Sequence, residues 1–187
     1  VKAGPSILCD ATVTGSVNGG LVVPPGEQYC LTGARINGSA SVAAGGGAIV
    51  KESTINGGFS STEGATQVLI CGSRVNGTTT IQNGVGRVLI GADVDDGTTE
   101  CPGNTLHGGL TIASNVAGIE VEGNRISGPV RIHDNEGPAF EGSDVGAELE
   151  LNQIAGPLIC FGNSPAPVND GLPNAVTGPE LGQCAGF

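Results

Sequence analysis

Three groups of side chains in this 187-residue chain have types and spacings that could carry chemistry. His133, Asp134 and Glu136 fall close together, with Arg125 and Arg131 shortly before them. An imidazole beside carboxylates is the pairing that general acid–base catalysis uses. A polar turn explains the same residues without any catalytic purpose, since surface loops collect such side chains, and it is the preferred account. Asp93, Asp95, Asp96 and Glu100 form a carboxylate-rich stretch that could offer oxygen ligands to Ca²⁺. The stretch lacks both the EF-hand spacing and the Gly-Gly-x-Gly-x-Asp repeat, so a solvated acidic loop is expected, with calcium as the alternative and no other cofactor implied. The third group is the six cysteines. None forms Cys-x-x-Cys, which weakens zinc-ribbon and thioredoxin chemistry.

Other candidates are weaker. No Gly-x-Ser-x-Gly elbow surrounds any serine. Thr78, Thr79, Thr80, Thr98, Thr99 and Thr111 raise ice binding, which needs a flat, regular threonine array. The comparable outward places hold Ser41, Ser60, Thr80, Thr111, Arg131 and Ile159, and they vary too much for that. Asn37-Gly38-Ser39 and Asn76-Gly77-Thr78 match the N-glycosylation sequon.

The elements that would position these residues follow from composition and repeat. Hydrophobic residues make up 38% of the chain, but there are only one Tyr and four Phe and no Trp or Met, so the core must be thin and aliphatic. Gly is 34 of 187, without the three-residue period of collagen. Recurring Val/Ile/Leu runs exclude disorder. A net charge of −11 argues against a nucleic-acid partner, which requires a basic face. No apolar run approaches the ~18 residues of a membrane span, so no insertion is expected. Cysteines in an acidic chain suggest export to an oxidising compartment, and the chain is expected to be the mature product of a removed export signal.

One pattern returns: an aliphatic anchor, a small polar residue, then Gly. It occurs at Val17-Asn18-Gly19, Ile36-Asn37-Gly38, Ile55-Asn56-Gly57 and Val75-Asn76-Gly77, and again at Leu106-His107-Gly108, Ile126-Ser127-Gly128 and Ile154-Ala155-Gly156. The first four anchors step by 19, 19 and 20 residues. Alternating apolar positions follow each anchor, as in Leu110/Ile112 and Val130/Ile132, which is a strand signal. Glycine interrupts every long window, so helices are not expected. A constant spacing is what a solenoid requires, because each turn must close on the one below at ~4.8 Å. Asn18, Asn37, Asn56 and Asn76 would then stack as an asparagine ladder, and His107 would take the next place as a structural turn residue. An inward ladder could not carry a glycan, so the sequons would go unused unless that column faces out. The glycine after each ladder residue is expected to allow a sharp bend.

The motif Gly123-Asn124-Arg125-Ile126-Ser127-Gly128-Pro129-Val130-Arg131-Ile132, with Asn135 after it and a partial copy at Gly103–Gly108, resembles the degenerate repeats of right-handed parallel β-helix proteins of the pectate-lyase-like superfamily. The resemblance covers most of residues 13–163 and implies an all-β, right-handed parallel β-helix, while saying little of activity. The segment from Cys160-Phe161-Gly162-Asn163 through Gly171-Leu172-Pro173-Asn174 to Gly182-Gln183-Cys184 resembles the tail of small secreted actinobacterial proteins of unknown role.

Two breaks interrupt the period: 31 residues from Val75 to Leu106 and 28 from Ile126 to Ile154. Each is a loop inserted in a coil, at about 92–103 and 136–147 (the latter carrying Glu141 and Asp144), or else an irregular extra coil anchored at Val94 or Val145. If they are loops, Cys71 and Cys101 share nearly one column of adjacent coils, within disulfide reach. Cys9 and Cys30 are 21 apart, about one coil, and Cys160 and Cys184 remain to tie the tail. The expected domain is single: a cap over 1–12, about seven coils over 13–163 and an irregular, Pro-rich tail over 164–187. No catalytic set converges in the sequence. A non-catalytic extracellular or cell-surface structural protein that self-associates is expected first, a carbohydrate-binding or polysaccharide-degrading β-helix second, and ice binding third. Its partners would be its own copies or an extracellular glycan.

Overall fold

A computed structural model describes residues 8–92, 101–137 and 146–187. The described strands fall into eight coils. The first two coils are β1 (Ala11–Val17) with β2 (Leu21–Val23), and β3 (Gln28–Ile36) with β4 (Ala40–Val42). Six coils of separate short strands follow. They are β5 (Gly47–Lys51), β6 (Thr54–Ile55), β7 (Phe59–Ser61); β8 (Gln67–Cys71), β9 (Arg74–Val75), β10 (Thr79–Gln82); and β11 (Arg87–Gly91), β12 (Thr105–Leu106), β13 (Leu110–Ala113). Then come β14 (Ile119–Glu122), β15 (Arg125–Ile126), β16 (Val130–His133); β17 (Glu148–Glu150), β18 (Gln153–Ile154), β19 (Leu158–Phe161); and finally β20 (Ala175–Val176) with β21 (Glu180–Gly182).

Every coil pairs in parallel with the next. Strands β5, β8, β11, β14 and β17 stack as a first face; β6, β9, β12, β15, β18 and β20 as a second; and β2, β4, β7, β10, β13, β16, β19 and β21 as a third. The long strand β3 joins the first two faces into one sheet of thirteen strands. This is an all-β parallel β-helix-like solenoid.

The core is a set of stacked columns. Leu31, Val50, Ile70, Ile90, Val121 and Leu149 follow one another in register and are buried. So do Ile36, Ile55, Val75, Leu106, Ile126 and Ile154 on the second face. Each such side chain removes enough apolar surface to contribute about 1.5–3 kcal/mol. Phe59 is the largest core side chain, and the column makes room for it by placing Ala40 and Thr79 on either side.

The corner glycines have a different purpose from the expected bend. Of the column Gly19, Gly38, Gly57, Gly77, Gly108, Gly128, Gly156 and Gly178, only Gly19 has a positive φ. A Cβ on Gly77 would lie 2.6 Å from the Gly58 nitrogen, and one on Gly128 would lie 2.7 Å from that of Gly109. From Gly38 onward, close approach of successive backbones therefore excludes a side chain there, whereas Gly19 has open space and a positive φ.

The breaks resolve as insertions. Val75 pairs directly with Leu106, and Ile126 with Ile154, which excludes extra coils anchored at Val94 or Val145. The number of coils is eight rather than about seven, because the segment expected as an irregular tail continues the stack. Val168 bridges Glu148, and β20 and β21 extend the second and third faces. All three expected disulfides are present, between Cys9 and Cys30, Cys71 and Cys101, and Cys160 and Cys184, with Cα separations of 5.7, 5.1 and 5.3 Å. Three disulfides point to an extracellular or otherwise oxidising environment. Among the described residues no helix is long and apolar enough to cross a membrane.

Two buried polar ladders hold the corners. In the first, the backbone N–H groups of Ala34, Ser53, Ser73, Asn104, Asn124 and Asn152 each donate to the side-chain oxygen one coil further on, at 2.9–3.1 Å. The amide groups of Asn104, Asn124 and Asn152 also donate to the next ladder oxygen, at 2.8–3.0 Å. Each turns its remaining N–H to a carbonyl of the coil before, on Ile70, Ile90 and Val121. The Phe187 carbonyl accepts the N–H of Asn174 and ends the ladder. The second runs through Asn115, Asn135, Asn163 and Gln183 in the same manner. Every ladder amide is satisfied, which is the condition for burying polar groups at low cost.

Candidate functional site

Of the predicted acid–base residues, His133 and Asp134 come together and Glu136 does not join them. His133 ends β16, its Nδ1 lying 2.9 Å from Asp134 Oδ2, and its ring stacks on Phe161 at 4.7 Å and 8°. Asp134 has a φ of +55°, like Asn83 and Ser114 at the matching corner of other coils (φ +53° and +56°). Short polar side chains tolerate this left-handed conformation, so Asp134 has a local backbone reason to be there. Asn135 points inward to the ladder and Glu136 is exposed beyond it, with no bond to His133 or Asp134 among the described residues. Arg131 shares the outer surface of the third face with His133, whereas Arg125 stands on the second face.

The calcium candidates Asp93, Asp95, Asp96 and Glu100 lie outside the described residues, as do Thr98, Thr99, Glu141 and Asp144. Among the described residues no three His, Cys, Asp or Glu groups are placed to hold a metal ion. The outward column Val22, Ser41, Ser60, Thr80, Thr111, Arg131, Ile159 and Leu181 is in full register, with hydroxyls in four successive coils.

One acidic feature was missed. Glu120 stacks on Glu148, and Glu122 on Glu150, on the outward positions of the first face. All four are buried, none above 7% exposure, and each is engaged in polar or electrostatic interactions. Arg87 Nη2 donates to Glu120 Oε2 at 2.8 Å. The signal was the alternation in Ile119-Glu120-Val121-Glu122, repeated in Glu148-Leu149-Glu150. Alternation of this kind normally marks a solvated outer face, and nothing local says that these positions are covered.

The asparagine ladder faces out. Asn37, Asn56 and Asn76 each donate from Nδ2 to the Oδ1 of the preceding coil's asparagine, at 3.1, 3.2 and 3.2 Å. The column continues with His107, Ser127, Ala155 and Thr177, each following its anchor. The outward facing corrects the inward ladder considered above and removes burial as the obstacle to the sequons at Asn37 and Asn76, although both Nδ2 groups are engaged in the ladder. Beside it runs a second outward column: Ser16, Arg35, Thr54, Arg74, Thr105, Arg125, Gln153 and Ala175. Arg35, Arg74 and Arg125 are exposed and stand two coils apart. Arg74 Nη1 meets His107 Nε2, and Arg125 Nη1 donates to Gln153 Oε1 at 3.4 Å, so both lean one coil toward the C-terminal end. There the strip opens into a hollow of about 330 Å³ lined by Arg125, Ser127, Gln153, Ala155, Ala175 and Thr177.

Comparison with protein families, with curated proteins and with solved structures finds no match to this chain. It is described by its fold, an all-β parallel β-helix-like solenoid.

Proposed function

We propose that this protein is a non-catalytic, secreted structural element whose copies associate through the outer surface of the third face. The observation that carries this is an apolar patch at the C-terminal end of a face whose outward column carries hydroxyls in four successive coils. Ile159 and Leu181 are neighbours in register, and Phe161 lies two residues along β19 on the same side. Phe161 and Leu181 are each 47% exposed, and the His133 ring extends the patch by stacking on Phe161. Contiguous exposed apolar surface marks interaction sites, and two copies related by a twofold axis would cover each other's patch. The rigidity needed by a structural element comes from the disulfides and the two buried ladders.

Sedimentation across a concentration series, with electron microscopy of the same samples, tests this. Concentration-dependent association, abolished by Phe161→Ser with Leu181→Ser, is the expected result. A strict monomer at the highest attainable concentration contradicts it.

A further inference from the structure

We propose that Asn18 is a site of spontaneous deamidation through a succinimide, and that the stacking of coils shields the other Asn-Gly pairs from the same reaction. The proposal goes beyond the structural role and does not rest on self-association.

The first argument is chemical. Asparagine precedes glycine at Asn18, Asn37, Asn56, Asn76 and Asn83. The main-chain nitrogen after an asparagine can attack its Cγ, and glycine, with no side chain, hinders that approach least. At Asn18 the Gly19 nitrogen gives its proton to hydroxide and bonds to Cγ. The Cγ–Nδ2 bond breaks, and ammonia leaves with a proton taken from water. The cyclic imide then adds water. Addition at Cγ restores the ordinary main chain as aspartate, while addition at the main-chain carbonyl leaves an isoaspartyl link, one carbon longer.

The second argument is hydrogen bonding. The N–H of Gly38 donates to the Gly19 carbonyl, that of Gly57 to Gly38 and that of Gly77 to Gly57, at 2.6, 2.9 and 2.8 Å. The N–H of Gly84 donates to Asn115 Oδ1 at 2.8 Å. None of these nitrogens is free to attack until the coils part locally. The Gly19 N–H has no acceptor among the described residues, where no coil precedes the first. The leaving amides differ in the same way. Asn37, Asn56 and Asn76 donate from Nδ2 to the coil before, and Asn83 to the Thr62 carbonyl, whereas Asn18 only accepts.

The third argument is room, because ring closure must turn the Asn-Gly peptide. A Cβ on Gly38 would lie 2.8 Å from the Gly19 carbonyl carbon, one on Gly57 2.7 Å from the Ser39 nitrogen, and one on Gly77 2.6 Å from the Gly58 nitrogen. These peptides are hemmed in by main chain. Around Gly19 nothing lies within 4 Å of that position, and both Asn18 and Gly19 are exposed. An aspartate at position 18 keeps the oxygen that Asn37 bonds to, so the rest of the ladder survives the reaction.

The experiment ages the whole protein in mildly alkaline buffer. Samples taken over time are digested at mildly acidic pH and mapped by mass spectrometry, reading the amide-to-acid mass gain at each Asn-Gly pair. Asn18 should react at least about tenfold faster than Asn37, Asn56, Asn76 and Asn83, each of which must first break two hydrogen bonds. In the reduced, denatured chain this preference should vanish. Asn18→Ser should remove the first acidic band that isoelectric focusing resolves in the ageing protein, and an unchanged melting temperature confirms that the variant folds. Native Asn18 reacting no faster than the other pairs overturns the proposal. A preference for Asn18 that persists after unfolding also overturns it, because it would then come from neighbouring sequence and not from the stack. So does the same acidic band forming at the same rate in the Asn18→Ser variant.

Discussion

The two halves of the solenoid place their asparagines on opposite sides of the chain. In the first four coils the ladder of Asn18, Asn37, Asn56 and Asn76 runs on the outer surface. From the fifth coil onward that column holds His107, Ser127, Ala155 and Thr177, and asparagine moves inside, to Asn104, Asn124, Asn152 and Asn174 at one corner and Asn115, Asn135 and Asn163 at another. The inner corner is built from Ala34, Ser53 and Ser73 in the earlier coils. The physical difference is the alternative partner. An outer amide released from its ladder bonds to water, whereas an inner amide has no water to turn to, so its hydrogen bonds are expensive to leave unmade.

The largest expected effect breaks an inner ladder. Asn124→Ala would leave the carbonyl of Ile90, the Asn104 N–H groups and part of the Asn152 carboxamide without partners. At about 1–3 kcal/mol for each buried group left unsatisfied, a loss of roughly 3–5 kcal/mol is expected in denaturant unfolding. Removing the Cys71–Cys101 staple by Cys71→Ser with Cys101→Ser comes next. It frees the 31-residue step around the first insertion and should cost about 2–4 kcal/mol. Thr79→Val should act in the other direction. The Thr79 hydroxyl is buried without a hydrogen-bond partner among the described residues, and replacing it with a methyl of similar shape should raise stability by about 1 kcal/mol. Asn56→Ala, in the outer ladder, should change stability by no more than about 0.5 kcal/mol.

The same contrast explains what could be read beforehand. The outer ladder was legible because its residues sit between an aliphatic anchor and a glycine, and the steric demand for that glycine keeps the motif visible in every coil. The register columns, both insertions and the three disulfides followed from the same spacing. The inner ladders had a signal of the same kind, since Asn104, Asn124, Asn152 and Asn174 each lie two residues before an anchor. It went unread because Ser53 and Ser73 fill the place in earlier coils, and because polar residues near glycine ordinarily mean exposed turns. The eighth coil was hidden by its prolines and its missing first strand, although Asn174 and Gln183 continue both ladders. At the candidate site, the spacing brings His133 and Asp134 into contact, while a left-handed corner at Asp134 and an inward Asn135 leave Glu136 without a bond to either among the described residues. The arginine column was visible only once the coils were in register, because Arg35, Arg74 and Arg125 are far apart in the chain and alternate with threonines.

Hydrogen exchange of the asparagine side-chain amides, followed by NMR, tests the central claim most directly. The buried ladders predict that the amide protons of Asn124, Asn135 and Asn152 exchange more than about a hundredfold more slowly than those of Asn37 and Asn56, because only the former need the coils to open. Equal, rapid exchange of all five would show that the inner ladders do not hold the stack together.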